Sequence, residues 1–170
     1  MKAKLAFLLL TFMVVPALAE PNLTISFTNQ ASTYINSNTS TVVLNLSVNA
    51  TGNNFNITGL FVTFNGTATF GNISMVAIYN DSNTNAVLDL NEPLLGSNSS
   101  LTNHTTLINF TAGINVTLAR DTKLLLVIVM NRSATRFINV GLNLSSNNSI
   151  IFSGATADSK VLTTNLPMST

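Results

Sequence analysis

The sequence predicts an all-β fold, an antiparallel β-sandwich of jelly-roll-like character behind an N-terminal signal peptide. Three observations carry that expectation. Apolar and polar residues alternate at period two in one segment after another. These segments recur every eight to fifteen residues or so, between Asn/Gly/Ser clusters such as Thr51-Gly52-Asn53-Asn54 and Ser97-Asn98-Ser99-Ser100. No stretch beyond the leader shows a 3.6-residue stripe with caps.

The leader is read first. Lys2 and Lys4 precede an apolar run from Leu5 to Val15, and Ala17-Leu18-Ala19 follows. A basic start, a short apolar stretch and an A-x-A site describe a secretory signal peptide cut between Ala19 and Glu20. The alternative, a membrane anchor, has too short a run to cross a hydrocarbon core of about 30 Å, and Pro16 interrupts it. No later stretch is long enough to span a membrane. Residues 1–19 are therefore assigned to the signal peptide, 20–40 to a first strand and its tether, and 41–170 to the sandwich.

The expected strands follow in order. Leu23, Ile25 and Phe27 alternate in Leu23–Thr28, and a mostly polar stretch, Asn29–Ser40, separates them from the next strand. A short apolar strand on a tether can complete its own sheet or add to a neighbour's, where main-chain bonds give affinity and alternate side chains fill pockets. In Thr41–Asn49, Val42, Leu44, Leu46 and Val48 oppose Asn45, Ser47 and Asn49. Leu60–Phe64, Thr106–Thr111, Ile114–Leu118 and Phe137–Leu144 repeat the pattern, Ile73–Tyr79 is a further candidate strand, and Ile150–Ser153 and Lys160–Thr163 are shorter candidates. Lys123–Met130 differs, because Leu124–Met130 is apolar on both parities and reads as a central strand covered on both faces.

Composition then narrows the function. Charged residues make up 8% of the chain, against roughly a quarter in an ordinary soluble domain. Removing residues 1–19 takes away two bases and turns the formal charge from +1 to −1. No basic patch is available for nucleic acid. The absence of Cys excludes a disulfide scaffold, a thiolate metal site and a cysteine nucleophile. General acid–base catalysis lacks raw material, so no catalytic residue is assigned. His104 reads as a solvated loop residue, and Lys123 and Lys160 as solvated amines.

Asparagine fills part of this gap. Among residues 20–170 there are 25 Asn, 17 Ser and 22 Thr, from which chance places about six Asn at the head of an N-x-S/T triplet. There are 15: Asn22, Asn38, Asn45, Asn49, Asn56, Asn65, Asn72, Asn80, Asn98, Asn103, Asn109, Asn115, Asn131, Asn143 and Asn147, none with Pro at the middle position. Each is an acceptor triplet for an N-linked glycan in an exported protein. In five segments the acceptor lies on the polar parity of its strand, as with Asn45, Asn65, Asn109, Asn115 and Asn143.

One constellation carries ligand chemistry. Asp81 to Glu92 matches the twelve-residue calcium loop at each ligand position, with Asp81, Asn83 and Asn85 as side-chain ligands, Val87 through its carbonyl, Asp89 directly or through water, and Glu92 as bidentate carboxylate. Ala86 stands where Gly usually makes the sharp turn, at a cost of about 1 kcal/mol for left-handed geometry. The competing reading is an Asx-rich hairpin loop bonded to its own backbone.

Two resemblances follow from these residues. Ile57–Ala68 onward through Asp81–Gly96 resembles β-sandwich modules of secreted prokaryotic surface proteins, in which a strand ends in a calcium-type Asp/Asn loop and a short "EPLLG"-like strand follows. The signal peptide, single small β-domain, dense triplets and tethered first strand resemble the subunits of archaeal extracellular threads and bundling pili. That resemblance implies a homopolymer built by donor-strand complementation, with Leu23, Ile25 and Phe27 as donor residues. It also implies adhesion or cell–cell contact at the cell surface as the role. The alternative is a non-polymerising adhesive or S-layer-associated module with a cell-surface or glycan partner.

Overall fold

The computed structural model describes residues 21–29, 35–66, 70–101, 104–118, 120–134, 140–144, 149–153, 160–163 and 168–169. The signal-peptide segment, residues 30–34 of the polar tether, and the acceptors Asn103 and Asn147 lie outside the described residues. Among the described residues eleven strands run β1 (Asn22–Asn29), β2 (Ser40–Thr51), β3 (Phe55–Gly66), β4 (Ile73–Asn80), β5 (Leu94–Asn98), β6 (Thr105–Val116), β7 (Thr122–Met130), β8 (Val140–Leu144), β9 (Ile150–Ser153), β10 (Lys160–Thr163) and β11 (Met168–Ser169). A 3-10 turn, Phe70–Asn72, precedes β4. Among the described residues no helix is long and apolar enough to cross a membrane.

The strands form two packed sheets. One has the order β10-β1-β2-β7-β4-β5, the other β11-β8-β3-β6, with β9 on β3 as well. All pairings between strands are antiparallel except that of β1 with β10. Alternation drives the layering: Leu23, Ile25, Leu44, Leu46, Val48, Leu124, Leu126 and Ile128 of the first sheet share one core with Phe55, Ile57, Leu60, Val62 and Ile108 of the second. β7 lies at the centre of its sheet, and Leu124 to Ile128 are all buried, the opposite parity included. This is the two-faced burial that its unbroken apolar run predicts.

Two irregularities move residues relative to the sequence reading. The β2–β7 register shifts between Val42 and Leu44. Val43 therefore turns inward beside Leu44, and Val42 is only half-buried. A bulge of this kind adds a residue to one strand and resets its parity. The expected pair Thr106–Thr111 and Ile114–Leu118 is one strand, β6, whose register against β3 jumps from Ile114 to Asn109.

The sandwich is closed along β5 and β6, the edge strands of the two sheets. Asn98 Nδ2 donates to the Leu107 carbonyl at 2.8 Å. A Cβ on Gly96 would overlap the Asn109 carbonyl oxygen. Gly96→Ala is expected to cost about 1–3 kcal/mol, because backbone must move to admit the methyl group. Chemical denaturation measures this, and an unchanged midpoint would show that the seam is not tight.

Candidate functional site

Three features have the makings of a functional site: the position of β1, the Asp81–Glu92 loop, and the distribution of acceptor asparagines.

β1 is an interior strand. It pairs antiparallel with β2 from Asn22↔Thr51 to Asn29↔Leu44, and parallel with β10 from Asn22↔Lys160 to Ile25↔Thr163. Leu23 and Ile25 are 0% and 1% exposed, and Phe27 packs partly buried on the same cluster. All three sequence-assigned donor residues thus enter the core, and within a single chain it is the chain's own core. Burying Leu23 and Ile25 contributes about 1.5–3 kcal/mol each, a large share of the roughly 5–15 kcal/mol that holds a domain together. Withdrawing β1 would open a strand-wide slot between β2 and β10. The apolar pockets for Leu23 and Ile25 would lie on its floor.

The loop between β4 and β5 brings together most of the residues assigned to it. Asp81 and Glu92 are 2% and 7% exposed. The backbone N–H groups of Asn85 and Ala86 donate to Asp81 Oδ1 and Oδ2 at 3.1 and 3.0 Å, and Ser82 N–H donates to Glu92 Oε2 at 3.0 Å. Asn83 Oδ1 accepts from Asn85 N–H, and Asn85 Oδ1 from Val87 N–H, each an Asx turn. Ala86 takes the left-handed φ of 62° that the missing glycine foretells, and Thr84 joins it at 60°.

The donor set meets a calcium ligand set only in part. Asn83 and Asn85 present their Nδ2 groups, not oxygens, to Asp89 Oδ2, at 2.7 and 2.9 Å. A cation there requires both carboxamides to turn, a rotation that exchanges oxygen and nitrogen at little steric cost. Among the described residues no three carboxylate, imidazole or thiol groups gather as a metal cluster. A site in this loop would depend on amide and carbonyl oxygen as well as on Asp81, Asp89 and Glu92.

The acceptor asparagines divide by exposure. Asn38, Asn109 and Asn115 are exposed, while Asn22, Asn45, Asn49, Asn56, Asn80, Asn98 and Asn131 are half-buried. Asn72 is buried at 7% exposure, its carbonyl accepting from Asn131 N–H and its triplet hydroxyl, Ser74, donating to the Val129 carbonyl. Asn65 and Asn143 lie on β3 and β8. Alternation of faces cannot distinguish these cases, since it says which side a residue takes and not what crosses over it.

A charged cluster at the start of β7 is legible in the sequence only as a turn pair, Arg120 and Asp121. Asp121 joins two strands: its Oδ1 accepts from Ser47 Oγ at 2.6 Å and Asn49 Nδ2 at 2.5 Å, and its Oδ2 meets Lys123 Nζ at 2.6 Å. His104, assigned to solvent, is exposed, with its ring set edge-on to Phe70 at 6.0 Å.

Two of these carboxyls are held below the ordinary carboxylate range. Asp121 is lowered first by its hydrogen bond from Lys123 and then by Ser47, and Asp89 by Asn83 and then Asn85. A carboxylate more acidic when folded stabilises the fold above its unfolded value, and that contribution is lost as pH falls through the lowered folded value. Stability is thus expected to be flat above about pH 5 and to fall below about pH 4. Asp121→Asn should reduce the slope in an acid titration followed by circular dichroism. An equal slope in the variant would contradict the assignment. In comparisons with known proteins, the chain matches no family model and no curated protein.

Proposed function

We propose that this chain is a secreted, N-glycosylated structural protein of the cell surface that polymerises with copies of itself by exchanging β1. The observation that carries the reading is the placement of an N-terminal strand in an interior slot, with Leu23 and Ile25 fully buried. A slot so apolar is always filled, by β1 of the same chain or of the next. The two arrangements share every contact of β1 and differ in the course of the tether between β1 and β2, which is held at its β2 end, where Ile35 packs on the core and the Thr39 carbonyl accepts from Met130 N–H. The paucity of ionisable side chains favours a structural role over a catalytic one. Adhesion and cell–cell contact are the roles we assign to the polymer.

Within one chain β1 already completes its sheet, and that favours a second reading: a self-complemented adhesive module that stays monomeric. Electron microscopy and size exclusion of the secreted form separate the two. Filaments are expected, and they should disappear on deleting residues 20–28. A peptide of residues 20–29 added to the truncated chain should restore its cooperative unfolding, because the slot accepts the strand in trans. A full-length monomer that keeps β1 in its own sheet would overturn polymerisation and leave the second reading.

The Asp81–Glu92 loop is proposed to bind calcium, which would pin the loop at the end of β4. Two buried carboxylates support this, together with a backbone already in the turn that the twelve-residue loop needs. Calcium at a hundredfold excess over its Kd should stabilise the fold by about 2.7 kcal/mol, with the gain removed by EDTA and absent in Glu92→Gln. A Tm indifferent to both calcium and EDTA near neutral pH would refute the site.

A further inference from the structure

A polar groove of about 370 Å³ opens at one end of the sandwich, between the residues that follow β4 and those that join β6 to β7. It is lined by the acceptor Asn80 with its triplet hydroxyl Ser82, and by the acceptor Asn115 with Thr117. Ile114, Arg120 and Asp121 complete the part that matters here. Two complete glycosylation triplets therefore border one cavity. The volume lies at the small end of the range for ligand sites, roughly 300–1,000 Å³.

The lining suits a polyol. Amide, hydroxyl and guanidinium groups converge on it beside the Asp81 and Asp121 carboxylates and the Lys123 ammonium, and Ile114 adds apolar surface against which a sugar ring can lie. Asp121 is held rigid by Ser47, Asn49 and Lys123, so that side of the groove is preorganised. Arg120 is exposed, and no ion pair to its guanidinium is found among the described residues. Its five N–H donors have a fixed fork geometry that fits hydroxyl and acetamido oxygens. Of the two acceptors, Asn115 is exposed at the end of β6, whereas Asn80 is half-buried.

We infer that this groove is the seat of the proximal sugars of an N-linked glycan carried on Asn115, and that Arg120 holds them. The inference rests on the proposed glycosylation of the chain. A sugar attached at the rim needs no free ligand concentration, since the covalent link supplies its effective concentration. The attachment thus turns a weak polar groove into an occupied one. The seated sugar would bridge the β4 end of the first sheet and the β6 end of the second.

The test uses the secreted protein with its native glycans. Glycopeptide mass spectrometry should find Asn115 modified. Asn115→Gln and Arg120→Ala should each lower the Tm by about 2–4 °C, and the double variant should fall no further than either alone. Asn109→Gln, which removes an exposed acceptor away from the groove, should leave the Tm unchanged. In protein made in a bacterial host that adds no glycans, Asn115→Gln should be silent. A modified Asn115 whose loss is no different from that of Asn109, or which adds fully to Arg120→Ala, overturns the seat while leaving glycosylation intact. A bare Asn115 with sugar on Asn80 or elsewhere overturns it as well. A secreted chain bare at every triplet refutes the glycosylation reading itself.

Discussion

The pairing of β1 with β2 along eight residues and with β10 along four is the constraint on which the first sheet depends. Among the described residues β10 adds to the sheet only through β1. The pockets that take Leu23 and Ile25 are closed only when β1 is present. Backbone N–H and C=O groups on the facing edge of β2 find partners there and would otherwise face a dry core or water. The burial of Leu23 and Ile25 is a large share of the stability of a domain this size, so the strand is a necessary part of the fold. Which chain supplies it is a matter of connection, and connection is what distinguishes a monomer from a polymer in the proposed function.

The surface is built on a different principle from that of most soluble domains. Its polar parity consists of Asn, Ser and Thr side chains that bond across strands, as Thr63 does with Thr105 and Ser74 with the Val129 carbonyl. The few charges are concentrated: Asp81, Asp89 and Glu92 close one loop, and Arg120, Asp121 and Lys123 meet beside the same end of the sandwich. Such a surface changes little in charge with pH outside strong acid. With the proposed glycans it would be a coat of neutral hydrogen-bonding groups over an apolar core.

Much of the fold is legible in the sequence because burial on a strand is a period-two signal. β7 can be read from its double parity, and most other strands lie within a few residues of their expected limits. What the sequence could not show depends on neighbours. The inward turn of Val43 follows from a bulge opposite β7, and the union of two expected strands into β6 follows from their common partner β3. The tight seam at Gly96 exists because two edge strands from different sheets meet there. At the loop, Ala86 was legible as a strained position and adopts that strain, whereas the turn of the Asn83 and Asn85 carboxamides toward Asp89 is set by hydrogen bonds that no spacing encodes. The groove at Asn115 joins residues of two sheets and has no sequence signature.

The source of β1 can be measured by a cross-link. The chain has no cysteine, and Thr24 on β1 lies directly opposite Asn49 on β2. Facing residues on antiparallel strands are about 4.5–5.5 Å apart between Cα atoms, within reach of a disulfide. In the double variant Thr24→Cys with Asn49→Cys, purified as the secreted assembly and oxidised, strand exchange predicts a ladder of covalent multimers on a non-reducing gel that collapses on reduction. A disulfide confined to single chains, with no ladder, would contradict exchange and show that each chain keeps its own first strand.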